Sequence, residues 1–313
     1  SSGAITLDQI HQEVGGTSGS TATINDADIR GLIDADAGAN TSFDDWYGAS
    51  AVTPRGLFFG GSGYTSPNSN TGDRNLDIID YITIASTGNA TDFGNLSADR
   101  RVVARGCCGS ATRNIISGGK PNNNDYAEVN IIEYVEFSTT GNATDFGDLI
   151  NSHNANDASG SCSSATRGII LGGYGGNDVN DFAYTDQIQY ITIANTGNAT
   201  DFGDTSGNTR NGCAAGSATR AIFSNSDNTK QAAEYITIAS TGNASDFGNM
   251  VTNAENRGGI SNKLRFVAGG GSGFTNAADY LTVASTGNAT DFGDLTWARA
   301  ELGGGSSQHG GIA

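Results

Sequence analysis

The sequence predicts an all-β fold of repeated antiparallel sheets, and three observations carry that prediction. The phrase Tyr81 to Gly94, YITIASTGNATDFG, returns with small changes at Tyr134 to Gly147, Tyr190 to Gly203, Tyr235 to Gly248 and Tyr280 to Gly293. Each copy alternates apolar and polar residues, turns at a Thr-Gly-Asn corner and resumes as a short strand ending in Asp-Phe-Gly, the pattern of a β-hairpin. Ahead of the hairpins stand apolar runs ending in Gly-Gly: RGLFFGG at Arg55 to Gly61, RNIISGG at Arg113 to Gly119, RGIILGG at Arg167 to Gly173 and LRFVAGG at Leu264 to Gly270. The remaining copy, RAIFSNS at Arg220 to Ser226, lacks the glycines. The hairpins start 53, 56, 45 and 45 residues apart, a period of propeller blades. The expected architecture is a five-bladed β-propeller over residues 51–313, preceded by a small, partly helical segment over residues 1–50.

In chain order, Thr6-Leu7-Asp8-Gln9 fits a capping box, and Leu7, Ile10 and Val14 share a helical face before Gly15-Gly16 stops the turn. Asn25 caps a second predicted helix with Ile29, Leu32 and Ile33 on one face, and Ser42 caps a third through Phe43, Trp46 and Tyr47. Three helices this short bury little apolar area alone, so the segment is expected to rest on a partner or on the propeller. The acidic run from Asp34 to Asp45 places Ala39 and Asp45 where an EF-hand needs glycine and glutamate, and reads as a solvated loop.

Each blade is expected to run as a small-residue strand, the Gly-Gly strand and the two strands of the hairpin. The small strands fall at Arg105 to Ala111, Gly160 to Ala165, Gly212 to Ala218, Gly258 to Asn262 and Leu302 to Ser307. Crowding near a five-fold axis favours Gly, Ala, Ser and Cys there. The first blade begins with its Gly-Gly strand, so the carboxyl-terminal strand is expected to complete it, closing the ring and removing an open edge. The tyrosines that open the hairpins and the phenylalanines that end them belong between sheets. Asp92, Asp145, Asp201, Asp246 and Asp291 recur in every copy, which suits turn-bonding carboxylates rather than a single catalytic centre.

Composition narrows the function. The net charge of −17, from 33 acids and 16 bases, repels a phosphate backbone and speaks against nucleic acid. Forty-six glycines without a three-residue period mark tight turns and not collagen. Cys107, Cys108, Cys162 and Cys213 show no zinc spacing, and Cys108 and Cys162 hold equivalent places in two repeats, as small buried hydrophobes would. With no membrane-length apolar run or secretory signal, synthesis in a reducing cytoplasm without membrane insertion is the expectation. His11, His153 and His309 lie in separate contexts and no nucleophile elbow appears, so neither catalysis nor a cofactor is expected.

Two resemblances add to this reading. An apolar strand, a Gly-Gly doublet, a loop and a Tyr-bearing strand resemble the kelch repeat of galactose-oxidase-like propellers, with the Phe of Asp-Phe-Gly where kelch has tryptophan. The run Ile24 to Ile33, INDADIRGLI, followed by Thr41 to Ala49, TSFDDWYGA, resembles the amino-terminal segment of tailed-bacteriophage virion proteins, tail fibres especially. That resemblance implies a virion protein, made in the host cytoplasm, whose Ile29, Arg30, Leu32, Phe43, Trp46 and Tyr47 dock on tail, baseplate or capsid proteins. A fibre of this kind implies a trimer, although no heptad pattern enforces one.

Strand alternation sends the near-uniform Ser-Ala-Thr-Arg and Thr-Gly-Asn turns to one face and variable loops to the other. The variable loops carry Tyr64, Tyr126, Tyr174, Phe182, Tyr184 and Phe274, and Trp297 follows the last strand of the fifth hairpin. Aromatic rings among Asn, Asp and Ser suit stacking and hydrogen bonding to sugars, so host-surface polysaccharide is the expected ligand. The alternatives are rings that pack their own loops, and a structural capsid, collar or baseplate decoration that binds no receptor.

Overall fold

The structure, a computed structural model, describes residues 55–64, 73–84, 86–101, 107–121, 129–151, 160–175, 183–209, 211–224, 231–262 and 264–302. Apart from Thr83, Ile84 and Ser86, these belong to one unit, Arg55–Ile82 with Thr87–Ile312. The helices expected within residues 1–50, the acidic loop 34–45 and the closing strand at 302–307 lie outside the described residues, except Leu302.

The described chain is a succession of antiparallel sheets. The first has three strands, β1 (Arg55–Phe59), β4 (Ile78–Thr83) and β5 (Thr91–Asn95), in the order β1-β4-β5, with β2 (Ser62–Tyr64) and β3 (Asp73–Asn75) paired in the connection between β1 and β4. After β6 (Arg100–Arg101) come β7 (Cys107–Gly109) and β8 (Arg113–Ser117), then β9 (Lys120–Pro121), which pairs with β6, and β10 (Ile131–Glu136) and β11 (Thr144–Asp148). The second sheet is β7-β8-β10-β11. The third is β12 (Gly160–Ser163), β13 (Arg167–Gly175), β14 (Ala183–Thr192) and β15 (Thr200–Asp204). The fourth is β16 (Ala214–Gly216), β17 (Arg220–Ser224), β18 (Ala232–Thr237) and β19 (Ser245–Asn249). The fifth is β20 (Gly258–Ser261), β21 (Arg265–Gly269), β22 (Ala277–Thr282) and β23 (Thr290–Asp294). The expected strand order is therefore present in four sheets, and the first lacks an inner strand among the described residues.

Register explains the repeated Asp-Phe-Gly. Ile132 pairs with Gly147 and Glu133 with Asp145, so Phe146 is an extra residue in the outer strand, and the same shift recurs at all five hairpins. Such a bulge bends the strand and re-aims the side chain. Each phenylalanine meets its tyrosine edge-on, with centroids 5.6–6.0 Å apart. Over each tyrosine sits an arginine from the Gly-Gly strand, 4.1–4.8 Å from the ring centroid: Arg55, Arg113, Arg167, Arg220 and Arg265. The Ser-Ala-Thr-Arg turns are closed by the serine: the hydroxyl of Ser110 accepts from the Thr112 and Arg113 amides, and Ser164 and Ser217 act alike.

The Thr-Gly-Asn segment departs from the expected tight corner. β10 ends at Glu136 and β11 starts only at Thr144, because the intervening chain reaches out to the sheet before it. Gly141 N donates to Phe93 O at 2.7 Å and Ala143 N to Asn95 O at 2.8 Å, while Asn142 Oδ1 accepts from Asn95 N at 3.0 Å. Gly197-Asn198-Ala199, Gly242-Asn243-Ala244 and Gly287-Asn288-Ala289 repeat this on Phe146–Asp148, Phe202–Asp204 and Phe247–Asn249. The approach is so close that a Cβ on Gly94, Gly147, Gly203 or Gly248 would fall 2.3–2.5 Å from the next sheet's glycine carbonyl.

Further bonds cross the same junctions. Arg55, Arg113, Arg167 and Arg220 donate to the carbonyls of Phe137, Ile193, Ile238 and Val283 at 2.6–2.8 Å. Buried acceptors one residue before each tyrosine, Glu133, Gln189, Glu234 and Asp279, take the amides of Ser97, Ile150, Ser206 and Thr252. Inner strands are linked by serine hydroxyls, Ser161 to Cys107 O, Ser163 to Gly109 O and Ser261 to Gly216 O. The core lies between sheets: Phe93, Phe146, Phe202 and Phe247 are buried against residues of the following sheet such as Ile116, Ile170, Phe223 and Phe266.

Candidate functional site

The Gly-Gly doublets fix where the variable loops leave the sheets. Both glycines take left-handed backbone angles, φ +53 and +100 at Gly60-Gly61, +46 and +120 at Gly172-Gly173, and +67 and +132 at Gly270-Gly271. The second amide then bonds the chain that follows the outer strand: Gly61 N to Arg100 O, Gly173 N to Thr209 O and Gly271 N to Arg299 O. Loops from two places in the first, third and fifth sheets are thereby tied at one end of each.

In the fifth sheet this tie carries two of the predicted aromatic residues. Thr275 O accepts from Arg299 N, Asn276 O accepts from Leu295 N, and Phe274 and Trp297 stand on the two bonded segments. Phe274 is 73% exposed and Trp297 77% exposed. Phe274 also holds φ +53, a conformation that an aromatic residue adopts only when its surroundings impose it. Ser272, with amide and hydroxyl on Glu255 O, holds the loop to the chain before β20. Each of these two exposed rings, on hydrogen-bonded segments with Asn276, Arg299 and Glu301 close in sequence, offers a face on which a sugar ring could stack.

Of the other predicted ligand residues, Tyr184 has a described side chain. Tyr184 is half-buried in β14, in register with Tyr174 of β13, and Tyr64 pairs with Asp73 in the small ribbon. The side chains of Tyr64 and Tyr174, and Tyr126 and Phe182 altogether, lie outside the described residues, as do Ile29, Arg30, Leu32, Phe43, Trp46 and Tyr47. Sequence reading missed the junction residues: the five tyrosine-capping arginines and the acid or amide before each tyrosine. Both were visible as repeated positions, Asp80, Glu133, Gln189, Glu234 and Asp279 among them.

The buried charges serve the fold. Arg100 pairs with Glu133, and Arg257 donates to Asp279 at 2.8 Å and to the carbonyls of Gly270 and Ala268. Burial lowers the Arg100 pKa against the opposing pull of Glu133. The cysteines are free thiols; register places Cys108 opposite Ile115 and Cys162 opposite Ile169, the equivalence expected from sequence. Desolvation pushes the thiols of Cys107 and Cys162 up to about 12, and that of Cys108 up as well. Among the described residues no group of three or more His, Cys, Asp or Glu is placed to hold a metal ion.

The sheet series and its inter-sheet core are those of propeller-like blades, antiparallel sheets packed face to face. The chain is similar to the solved structure of YjhT, with a TM-score of 0.57 at 9% identity, over 72% of this chain and 80% of that one. At that identity the likeness concerns the fold. No protein-family model and no curated protein matches the chain.

Proposed function

We propose that the protein is a bacteriophage virion component, a tail fibre or adhesin, that docks through residues 1–50 and binds host-surface glycans through its variable loops. The observation that carries the glycan part is the pair Phe274 and Trp297, both more than 70% exposed on segments hydrogen-bonded to each other. The virion part rests on the likeness of residues 24–49 to phage tail proteins. The net charge of −17 supports a partner that is not nucleic acid. In this reading the five sheets form one ring, with residues 302–307 as the inner strand of the first sheet.

Binding of the purified protein to envelope polysaccharide of host cells tests the glycan part. Phe274→Ala and Trp297→Ala are each expected to weaken binding roughly five- to tenfold, the scale of one lost stacking contact of about 1–1.4 kcal/mol. Equal binding by both variants and the parent overturns the site. Absence of binding by all three favours a structural decoration, and shortening of the polysaccharide favours a degrading enzyme.

A further inference from the structure

Two buried arginines lead into the sheets whose acids they meet, and they are not equally well held. Arg100 precedes β7 of the second sheet and Arg257 precedes β20 of the fifth; both, with their partners Glu133 and Asp279, are at most 2% exposed. The two acids occupy one register position. Glu133 pairs with Ile116 and Asp279 with Ala268, in each case two residues before a glycine doublet with left-handed angles. Each acid also accepts a main-chain amide from the chain that leaves the preceding sheet, Glu133 that of Ser97 and Asp279 that of Thr252, both at 2.8 Å.

The guanidinium groups differ. Arg257 uses three nitrogens on protein acceptors: Nη1 donates to Asp279 Oδ2 at 2.8 Å, Nη2 to Ala268 O at 2.6 Å and Nε to Gly270 O at 3.2 Å. Arg100 donates through Nη2 to Glu133 Oε2, while its Nε and Nη1 are buried without a partner among the described residues. Burial outweighs the pull of Glu133 and lowers the Arg100 pKa, the sign of a cation that gave up more hydration than its partners return. A buried donor left unmade costs more than one hydrogen bond contributes, and such groups in folded proteins are met by protein or by ordered water.

One methylene separates the two cases. Glu133 is longer than Asp279, so a carboxylate rooted at the same position holds its guanidinium farther from the strand. The carbonyls of Ile116 and Gly118, counterparts of those of Ala268 and Gly270, are not reached. Arg100 is not free to follow, because its amide donates to Leu76 O and its carbonyl accepts from Gly61 N, both at 3.3 Å.

We infer that an internal water molecule is a fixed part of this corner, accepting from Arg100 Nε or Nη1 and donating to the carbonyls of Ile116 and Gly118, in place of the direct bonds that Arg257 makes in the fifth sheet. Water suits the place better than an anion. Arg100 and Glu133 are together neutral, so an added anion would be a buried charge without a counter-charge, whereas an ordered water costs little beyond its immobilisation. The site lies where the chain passes from the first sheet to the second, and depends neither on ring closure nor on glycan binding.

Crystal structures of the full chain and of Glu133→Asp, both at a resolution that shows ordered solvent, test this. The parent is expected to hold a water at about 3 Å from Arg100 Nε or Nη1. In Glu133→Asp the guanidinium is expected to take the geometry of Arg257 and the water to leave. Direct bonds from Nε and Nη1 to protein in the parent overturn the inference, as does a water that keeps the same contacts in Glu133→Asp. In solution, the Arg100 Nε–H resonance, assigned by its loss in Arg100→Lys, should show cross-relaxation with a long-lived water in the parent and none in Glu133→Asp. Crystals grown with bromide identify the guest: anomalous scattering at the site, with a thermal midpoint that rises with halide in the parent and not in Arg100→Met, would assign an anion and overturn the water. If Glu133→Asp does not fold, Asp279→Glu is the reciprocal case, expected to detach Arg257 Nε from Gly270 O and admit a water there; direct bonds retained by Arg257 would overturn the inference.

Discussion

At the scale of residues, each repeated side chain does work between sheets that a hairpin alone does not require. The arginine at the start of each Gly-Gly strand lies on its own tyrosine, and in four sheets it also donates to the following one. The desolvated thiols of the half-buried Cys107 and Cys162 imply a pH dependence of definite sign. Their folded-state pKa values are raised from 9.0, to about 12 for Cys107 and Cys162, because the thiolate is desolvated. A raised folded pKa contributes stability that is full below the unfolded value and lost as pH climbs through the folded one. Denaturant midpoints measured from pH 8 to pH 11 should therefore fall above about pH 9, and serine at both positions should flatten the fall. The equivalence of Cys108 and Cys162 could be read from spacing alone, but the degree of burial could not, since small residues suit both a crowded strand and an exposed turn.

At the scale of elements, the hairpin is the unit that the sequence repeats and the junction is the unit that the fold repeats. The Thr-Gly-Asn segment looked like a corner because Gly and Asn favour turns. It is conformationally suited to a turn, yet it is held by the outer strand of the preceding sheet. Two substitutions separate the effects. Gly203→Ala puts a Cβ 2.5 Å from the Gly242 carbonyl at a φ of +143, and should cost about 2–4 kcal/mol through clash and strain. Asn243→Ala removes one cap from the Asp204 amide and should cost about 1 kcal/mol. Urea unfolding of both variants checks the order; equal losses would show that capping, not close approach, governs the junction. Sequence inspection found the glycine without its reason, because the partner atom comes from about forty to fifty residues away.

At the scale of the whole molecule, the series of sheets was legible from period and pattern: five Gly-Gly-type strands, five hairpins and four of the five small-residue strands fall where the structure places them, the fifth lying outside the described residues. Of the proposed glycan surface, Phe274 and Trp297 were named from sequence, and the structure ties their segments by hydrogen bonds. Their joining with the remaining loop aromatics was not borne by any pattern, since loops outside the repeat carry no register to align them. Deletion of residues 303–313 is expected to lower the thermal midpoint by at least about 5 °C, because 1 kcal/mol moves a domain of this size by about 2–4 °C. A midpoint equal to that of the intact protein would remove the closing strand from the ring reading.

What the sequence determined by itself is local: alternation set the strands, glycines set the corners and bulges, and repetition set how many sheets there are, because each depends on neighbours within a few residues. What the tertiary structure decided is which groups become buried acceptors and which rings stay wet. Glu133, Gln189, Glu234 and Asp279 are buried, while Phe292 and Trp297 are exposed, since burial is a property of the neighbouring sheet and the hydrogen-bond partners it brings, not of the residue that seeks them.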